Sequence, residues 1–591
     1  MLPVQCFQAN LTTQSVRVDQ LEIMASLNSL FKSPRFKTRA QIVWSVGLVA
    51  VAGIVVLLPA LIRGIPAGHD LPNHLRLALP FYNAIHAGNL HPGWLLEANH
   101  GFGDPSLRFY PPALYYLLAA TRGLTGNWYA GILLGFPLLS VLGGLGVYFW
   151  ARFLPNNLAV LAGILYAFVP YRINEFYGAS FLAEYAAAAV LPFAFGFVLR
   201  VCKDNRPGDV AGLALSFALL VMTNLPLAVI GSLSLLLYAA VTIEKARFRQ
   251  SLLRLCLGVG LGLAASAVYW TTMVAELSWI RNASLNPAED LVSYFDYRKN
   301  FVFSPFSLGN TNSWLASMLE LATLAIAVAP LLMLVWPGWK LSRPVKGLLA
   351  LLAFSLLMTT DLSRPLWFVI PKLKEVQFPW RWLAVSSIAV SILAAASIPF
   401  CRDRLRGKLR PVALVVIGVV LVAIAYSGAR IRDANYIPRF EFNSVINHVF
   451  ARDSLDYWLP IWVHERPQPM PHEVQATARE VRVTEWEPEQ RSFSVGAGPA
   501  EEIRVRTFYY PHWQARTGDK LLAIRAGPDG VMLISIPADA TIVKLDFIEP
   551  RRARVATAVT ITAWGLIVLL MLYGFRVHRY QDAGQHPALV R

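Results

Sequence analysis

Apolar runs recur along this chain with short polar segments between them. That pattern predicts a protein built from membrane-crossing helices. The runs fall at 41–62, 128–150, 157–171, 182–201, 209–225, 227–243, 251–273, 315–336, 346–360, 380–400, 411–428 and 554–576. A helix needs roughly 17–25 apolar residues to cross a bilayer core, so these runs predict about twelve spans. "YPPALYYLLAA" at 110–120 is short and broken by proline, and predicts a juxtamembrane or re-entrant helix instead. Between 430 and 552 the pattern changes. "REVRVTEW", "GVMLISI" and "TIVKLDF" alternate with period two among Gly/Pro-punctuated polar residues, as half-buried strands do.

The expected fold class is therefore an α-helical polytopic membrane protein with a small β-rich extracytoplasmic domain before its last span. The expected organisation is a tail over 1–40 and a multi-span domain over 41–429 with a large loop at 63–110. A β-rich domain follows at 430–552, then a last helix at 553–576 and a tail at 577–591.

Composition agrees: 55% of residues are hydrophobic and only 15% charged. The formal charge of +17 would suit a nucleic-acid binder, but its placement argues otherwise. The cations cluster between apolar runs, at Lys32–Arg39, Arg200–Arg206, Lys245–Arg254, Lys340–Lys346 and Arg402–Arg410. Short loops rich in Lys and Arg stay cytoplasmic, so the excess charge reads as a topology signal. No aromatic-basic module accompanies it, and nucleic acid is excluded as a partner. With those clusters inside, both termini are expected in the cytoplasm. Segments 63–110, 172–181, 274–314, 361–379 and 430–552 are then expected on the outer face. The four cysteines (Cys6, Cys202, Cys256, Cys401) avoid the outer segments and form no CxxC or disulfide framework. The first thirty residues carry no secretory signal pattern, and "MASLNSLFKSPRFKTR" from Met24 reads as a cytoplasmic start.

Charge at a membrane edge is costly and marks cavities or function. Here Asp70, Asp104, Glu175, Glu184, Glu276, Asp296 and Asp361 gather on the expected outer side. Arg76, Arg108, Arg172, Arg281, Arg298, Lys299 and Arg381 accompany them. Cations kept on that side suit a phosphate-bearing ligand. In "AGHDLPNHLRL" (67–77) Asp70 precedes a leucine-proline pair, where an aspartate caps a helix start. The same carboxylate can accept a proton. His74 lies one helical turn on and would stand over it, while His69 reads as a surface residue. An Asp/His pair does not complete a metal site.

In "VPYRINEFYGASFLAEYAA" (169–187) Arg172 and Glu175 sit at a span mouth and Glu184 lies inside the next span. They read either as a structural pair, Arg172 with Glu184 or Glu175, or as a substrate-binding rim. "TNLP" (223–226) breaks a hairpin, with Asn224 as a cap. "VQFPWRWLA" (376–384) places Arg381 where a span starts, and "SYFDYRKNF" (293–301) offers Lys299 among aromatics. In "FYYPHWQARTGDK" (508–520) His512 and Trp513 read as core and turn residues of the β-rich domain.

"FYPPALYYLL", "VPYRINEFYGASFLAEY", "TNLPLAVI", "VQFPWRWLAV" and "FYYPHWQA" together resemble bacterial multi-span membrane proteins. These are the YfhO-like group and those labelled 6-pyruvoyl-tetrahydropterin synthase related, and more broadly the GT-C glycosyltransferases. The resemblance runs from about residue 41 to 576. No histidine triad with a nucleophilic cysteine lies outside, so the pterin label does not describe the chemistry. The resemblance implies transfer of a sugar from a polyprenyl-phosphate donor to an envelope glycan, lipid or protein on the outer face of the bacterial cytoplasmic membrane.

It implies Asp70 as catalytic base. We expect His74 to orient it, and Arg172, Glu184, Lys299 and Arg381 to hold phosphate or sugar. Asp104 and Glu175 are further acidic candidates. A divalent cation is compatible with the resemblance, although no adjacent-acid pair follows the first span: residues 69 and 71 are His and Leu. A lipid-carrier transporter or flippase would use similar charges but distribute them through both membrane halves, often with repeat symmetry, which this chain lacks. A non-catalytic assembly subunit for envelope polysaccharide is the third reading.

Overall fold

The computed structural model describes residues 34–204, 206–281, 295–305, 311–335, 340–404, 410–449 and 458–584. The start at Met24, Cys6 and most of the amino-terminal tail lie outside the described residues, as do the end of the carboxy-terminal tail and the first two residues of "SYFDYRKNF".

Helices follow the apolar runs. They are α1 (Pro34–Val55), α2 (Leu71–His86), α3 (Ala113–Thr125), α4 (Trp128–Trp150), α5 (Asn156–Ala167), α6 (Pro170–Tyr177), α7 (Leu182–Lys203), α8 (Pro207–Thr223) and α9 (Leu225–Thr242). There follow α10 (Phe248–Ala265), α11 (Ala267–Glu276), α12 (Thr311–Val335), α13 (Arg343–Met358), α14 (Leu383–Arg404), α15 (Arg410–Arg432), α16 (Arg439–Asn447) and α17 (Arg551–Gly584). Among the described residues five helices are long and apolar enough to cross a bilayer, six if the pair α10–α11, bent by 71°, counts as one span. Several of the other runs form shorter helices, so length and composition alone do not reach twelve.

The bundle's exterior shows what surrounds it. α17 is apolar on all sides yet mostly uncovered, with Ile561, Leu569 and Phe575 more than half exposed. Only lipid removes so continuous an apolar surface from water. α7 and α14 are instead buried among their neighbours and form the centre of the bundle.

Between α8 and α9 the chain turns at Asn224, whose side chain accepts the Leu227 N–H at 2.9 Å. Pro226 in the first turn has no N–H to satisfy. Asn224→Ala should therefore lower stability by about 1 kcal/mol, while Asn224→Asp keeps the cap. Thermal unfolding in one detergent checks this, and equal midpoints for wild type and the alanine variant would refute the capping role.

Hydrogen bonds gather the long loops at one end of the bundle. The strand β1 (Ile65–Pro66) pairs with β2 (Tyr436–Ile437), tying the first loop to the segment after α15. Beyond it lie β3 (Val474–Gln475), β4 (Val481–Trp486), β5 (Gln490–Val495), β6 (Glu501–Phe508), β7 (Trp513–Thr517), β8 (Lys520–Leu522), β9 (Ile524–Ala526), β10 (Val531–Ile536) and β11 (Thr541–Phe547). They form two antiparallel sheets, β3-β6-β10-β9 and β4-β5-β11-β7-β8. Alternate residues of both, such as Val505, Ile534, Phe493 and Leu545, bury into one shared core. Trp94 and Phe102 of the first loop complete that core, with the Phe508 N–H bonded to the Phe102 carbonyl at 2.9 Å. The opposite end carries basic connections, among them Arg200–Asp209 at 2.6 Å and Arg343–Glu244 at 3.2 Å.

Candidate functional site

Asp70 opens α2, and its surroundings are fixed by backbone. Its N–H donates to the Ala179 carbonyl at 3.2 Å, and the Gly68 N–H donates to the Ser180 hydroxyl at 3.0 Å. A Cβ on Gly68 would stand 2.3 Å from that hydroxyl, so only glycine lets the two turns approach this closely. Ser180 itself holds a left-handed φ of 54°.

The carboxylate occupies the cap position but makes no capping bond. It accepts instead from His69 Nδ1 at 2.9 Å, with its side chain 33% exposed. The expected helix-cap role is thereby corrected: Asp70 has helical φ/ψ (−90°, −6°), which turns the side chain away from the first free N–H groups. His69 is exposed, yet it is the direct partner. Its hydrogen bond to Asp70 raises its pKa above 6.5, against partial burial.

His74 meets Asp70 through the backbone only, its N–H donating to the Asp70 carbonyl at 3.1 Å; its ring makes no hydrogen bond to the Asp70 carboxylate. The helical turn carries it to the buried face of α2, where Nδ1 lies 3.2 Å from the Tyr115 hydroxyl and the ring meets Tyr110 edge-on. Burial lowers its pKa to about 4, opposed by the Asp70 charge, so it is neutral at pH 7. The unfolded chain binds this proton below pH 6.5 and the folded chain only near 4. Stability should thus fall as pH drops through that window and level off below it. The full shift corresponds to about 3 kcal/mol. The acid slope of the melting temperature should flatten in His74→Phe; an unchanged slope would exclude His74 as its source.

Glu184, in the first turn of α7, is 2% exposed. Its Oε2 accepts from Arg381 Nε at 3.1 Å and its Oε1 from the Tyr171 hydroxyl at 2.6 Å. Arg381 also donates through Nη1 to the Val376 carbonyl at 2.7 Å, and its guanidinium lies 4.9 Å from the Phe378 ring centre. Gln377 beside it takes a φ of 70°. Among the described residues Nη2 of Arg381 has no recorded acceptor. Asp70 lies within electrostatic reach of Glu184, and Tyr110 within reach of Asp70, Arg381 and Glu184. Tyr110 and Glu184 thus each lie within electrostatic reach of both Asp70 and Arg381.

Arg172 and Glu175 stand behind Glu184. Arg172 is 2% exposed and donates to the Tyr166 hydroxyl and to the carbonyls of Tyr185 and Leu139. Its guanidinium stacks 3.8 Å from the Tyr185 ring centre, and Glu175 lies 4.0 Å away. Of the structural pairings weighed above, the structure shows Arg172 with Glu175, while Glu184 goes to Arg381.

Asp104 is buried in the first loop. It accepts from the Ser106 N–H at 2.9 Å, from the Ser106 hydroxyl, and from Asn99 at 3.2 Å. Burial raises its pKa, opposed by Arg76 and these donors. It has no recorded interaction with Asp70. Lys299 is the exposed last residue of the turn Tyr297–Lys299, within reach of Asp296. Among the described residues no group of three or more His, Cys, Asp and Glu is placed to hold a metal ion.

Three contributors escape sequence reasoning. Tyr110 and Tyr171 lie inside the quoted motifs, but a tyrosine at a span mouth reads as ordinary interface chemistry. His69 gave no signal beyond adjacency to Asp70.

A family model for the 6-pyruvoyl-tetrahydropterin synthase related domain, a membrane protein, matches residues 107–432. The chain belongs to that family. The matched segment of this PTPS-related protein begins after Asp70 and includes Tyr110, Arg172, Glu184 and Arg381. No curated protein matches the chain. Among solved structures it is similar to an arabinofuranosyltransferase, AftD, from Mycobacteria, at 18% identity and a TM-score of 0.42, over 66% of this chain and 27% of that one. It spans little more than a quarter of that protein's length. It is also similar to ArnT from Cupriavidus metallidurans, solved with undecaprenyl phosphate, at 16% identity and a TM-score of 0.42, over 69% of each chain. An oligosaccharyltransferase from Archaeoglobus fulgidus matches at 14% identity and a TM-score of 0.40, over 72% of this chain and 58% of that one.

Proposed function

We propose that this protein is a membrane glycosyltransferase of the GT-C type. In this reading it moves a sugar from a polyprenyl-phosphate donor to an envelope acceptor at the outer face of the cytoplasmic membrane. The observation that carries the reading is that a solvent-reachable carboxylate, Asp70, and an arginine, Arg381, whose Nη2 has no acceptor among the described residues both lie within electrostatic reach of Tyr110 and Glu184. Base and phosphate-binding cation are the two groups that an inverting transfer needs. The donor class rests on the resemblance of the motifs.

Asp70 takes the proton of the acceptor hydroxyl as that oxygen bonds to the anomeric carbon. The bond from that carbon to the lipid phosphate breaks, and the phosphate leaves with the electron pair beside Arg381. Glu184 fixes Arg381 through Nε and is itself held by Tyr171, so the free edge of the guanidinium points without rearrangement. Tyr110 offers a hydroxyl to the sugar. Arg172 is assigned no ligand contact, because it is buried inside the bundle with Nη1 and Nη2 committed to Tyr166, Tyr185 and Leu139; with Glu175 it supports the floor under Glu184. Lys299 and Asp104 are left outside the reacting set, and His69 replaces His74 as the partner of Asp70.

The test is a transfer assay on the full-length protein with a panel of polyprenyl-phosphate sugars, with and without divalent cations. We expect turnover with one member of the panel and its loss in Arg381→Ala. No turnover with any donor, from protein that melts cooperatively, would remove the proposal and favour the assembly-subunit reading.

A further inference from the structure

A cavity lies away from the Asp70 site, at the far end of α2. It measures about 340 Å³, is open on one side, and is lined by the end of α3, the start of α4 and the helix α16. Arg122 and Arg439 face it, with Asn127, Asn443, Trp128 and Tyr129. None of the residues lining it is acidic, and neither arginine makes an ion pair among the described residues. Nε of Arg122 is buried without a hydrogen-bond acceptor, an arrangement that costs stability unless a ligand or water supplies one. The guanidinium of Arg122 is held 5.1 Å from the Tyr82 ring centre, so its direction is set before any ligand arrives. Tyr82 is twelve residues beyond Asp70 on α2, which places the two sites roughly 18 Å apart along the helix.

The chemistry selects the ligand. Two guanidiniums without an ion pair, with the Asn443 amide beside them, make a donor-rich pocket, while Asn127 is held as the cap of α4; guanidinium matches phosphate oxygens in geometry and charge. The position selects its source. Trp128 opens a helix long and apolar enough to cross the membrane, where Trp and Tyr mark the headgroup level. Leu124, two residues from Arg122, and Phe440, next to Arg439, are both 81% exposed. In water such side chains are a liability; beside acyl chains they are covered. We infer that this cavity is a binding site for the phosphate headgroup of an anionic membrane lipid, separate from the Asp70 site and held by Arg122 and Arg439.

Native mass spectrometry of the full-length protein, titrated with dioleoyl-phosphatidylglycerol, tests the site. Parallel arms use inorganic phosphate and glycerol 3-phosphate. Wild type is expected to hold one more tightly bound lipid than the double variant Arg122→Gln/Arg439→Gln. Arg439 is exposed, so Arg439→Gln alone keeps the fold and should weaken that lipid by about tenfold, the loss of one charge-assisted contact. Arg439→Lys should recover part of it. The soluble phosphates should bind no tighter to wild type than to the variants; if they do, the shared phosphate chemistry stands and a free phosphate ligand replaces the lipid. Equal lipid stoichiometry and affinity in wild type, Arg439→Gln and the double variant would overturn the site.

Discussion

Asp70→Asn should reduce sugar transfer by about 10²–10⁴-fold, the usual contribution of a positioned general base, while leaving the melting temperature within a degree or so. The structure explains why the fold should tolerate the change. Asp70 makes no capping bond, and its recorded side-chain partner is the exposed His69. The turn around it is held by backbone groups and by Ser180. The amide can still accept from His69 but cannot take the acceptor proton. A fall in turnover without a matching rise in the donor KM would identify a group that acts in the transition state. Retention of full activity in a well-folded preparation would remove Asp70 from the reaction and move the search for the base to Tyr110 or Glu184.

The second large effect belongs to Glu276. It is fully buried between the bundle and the β-rich domain, and four side chains converge on it. Arg108 donates through Nε at 2.7 Å and Nη2 at 2.9 Å, the Tyr510 hydroxyl at 2.8 Å, and Arg552 at 3.2 Å. His512 Nε2 lies 2.9 Å from the same carboxylate. Arg108 is completed by Glu549, at the entry to α17. Removing the carboxylate takes the shared acceptor from Tyr510, His512 and Arg552 and leaves Arg108 with Glu549 alone; breaking a buried charge pair in this way costs about 3–5 kcal/mol. Glu276→Ala should therefore lower the thermal midpoint sharply and speed amide exchange in β6 and β7 before the rest of the chain. Since Arg108 stands two residues before Tyr110, activity should fall as well. Unchanged exchange in those strands would mean that the apolar core around Trp94, not the ion cluster, holds the domain in place.

How much of this was legible beforehand differs by scale. Apolar runs announce the helices because a lipid-facing segment has no choice but to be apolar throughout, as α17 shows. Period-two alternation announces β4, β10 and β11 for an equally local reason. The site is less local. That Asp70, Glu184 and Arg381 share one end follows from charge and span order, but Glu184 and Arg381 are 197 residues apart, and nothing in either segment says they touch. Arg172 shows the converse. Its neighbourhood reads as a rim, yet its aromatic partners Tyr166 and Tyr185 come from two different helices that fold over it. His74 was misplaced by an angle: one turn of helix carries it from the open end of α2 onto the buried face against Tyr115.

The insertion of Trp94 and Phe102 into the β-rich core has a bearing on how the chain is made. Gly93 and Glu489, which bond at 2.6 Å, are 396 residues apart. During synthesis the first loop therefore waits, its tryptophan unburied, until nearly the whole chain has been translated and inserted. At about 5–20 residues per second that interval lasts on the order of twenty seconds or more. The protein thus depends on a late, long-range closure, and a chain cut before β11 would leave both the loop and the sheets unfinished.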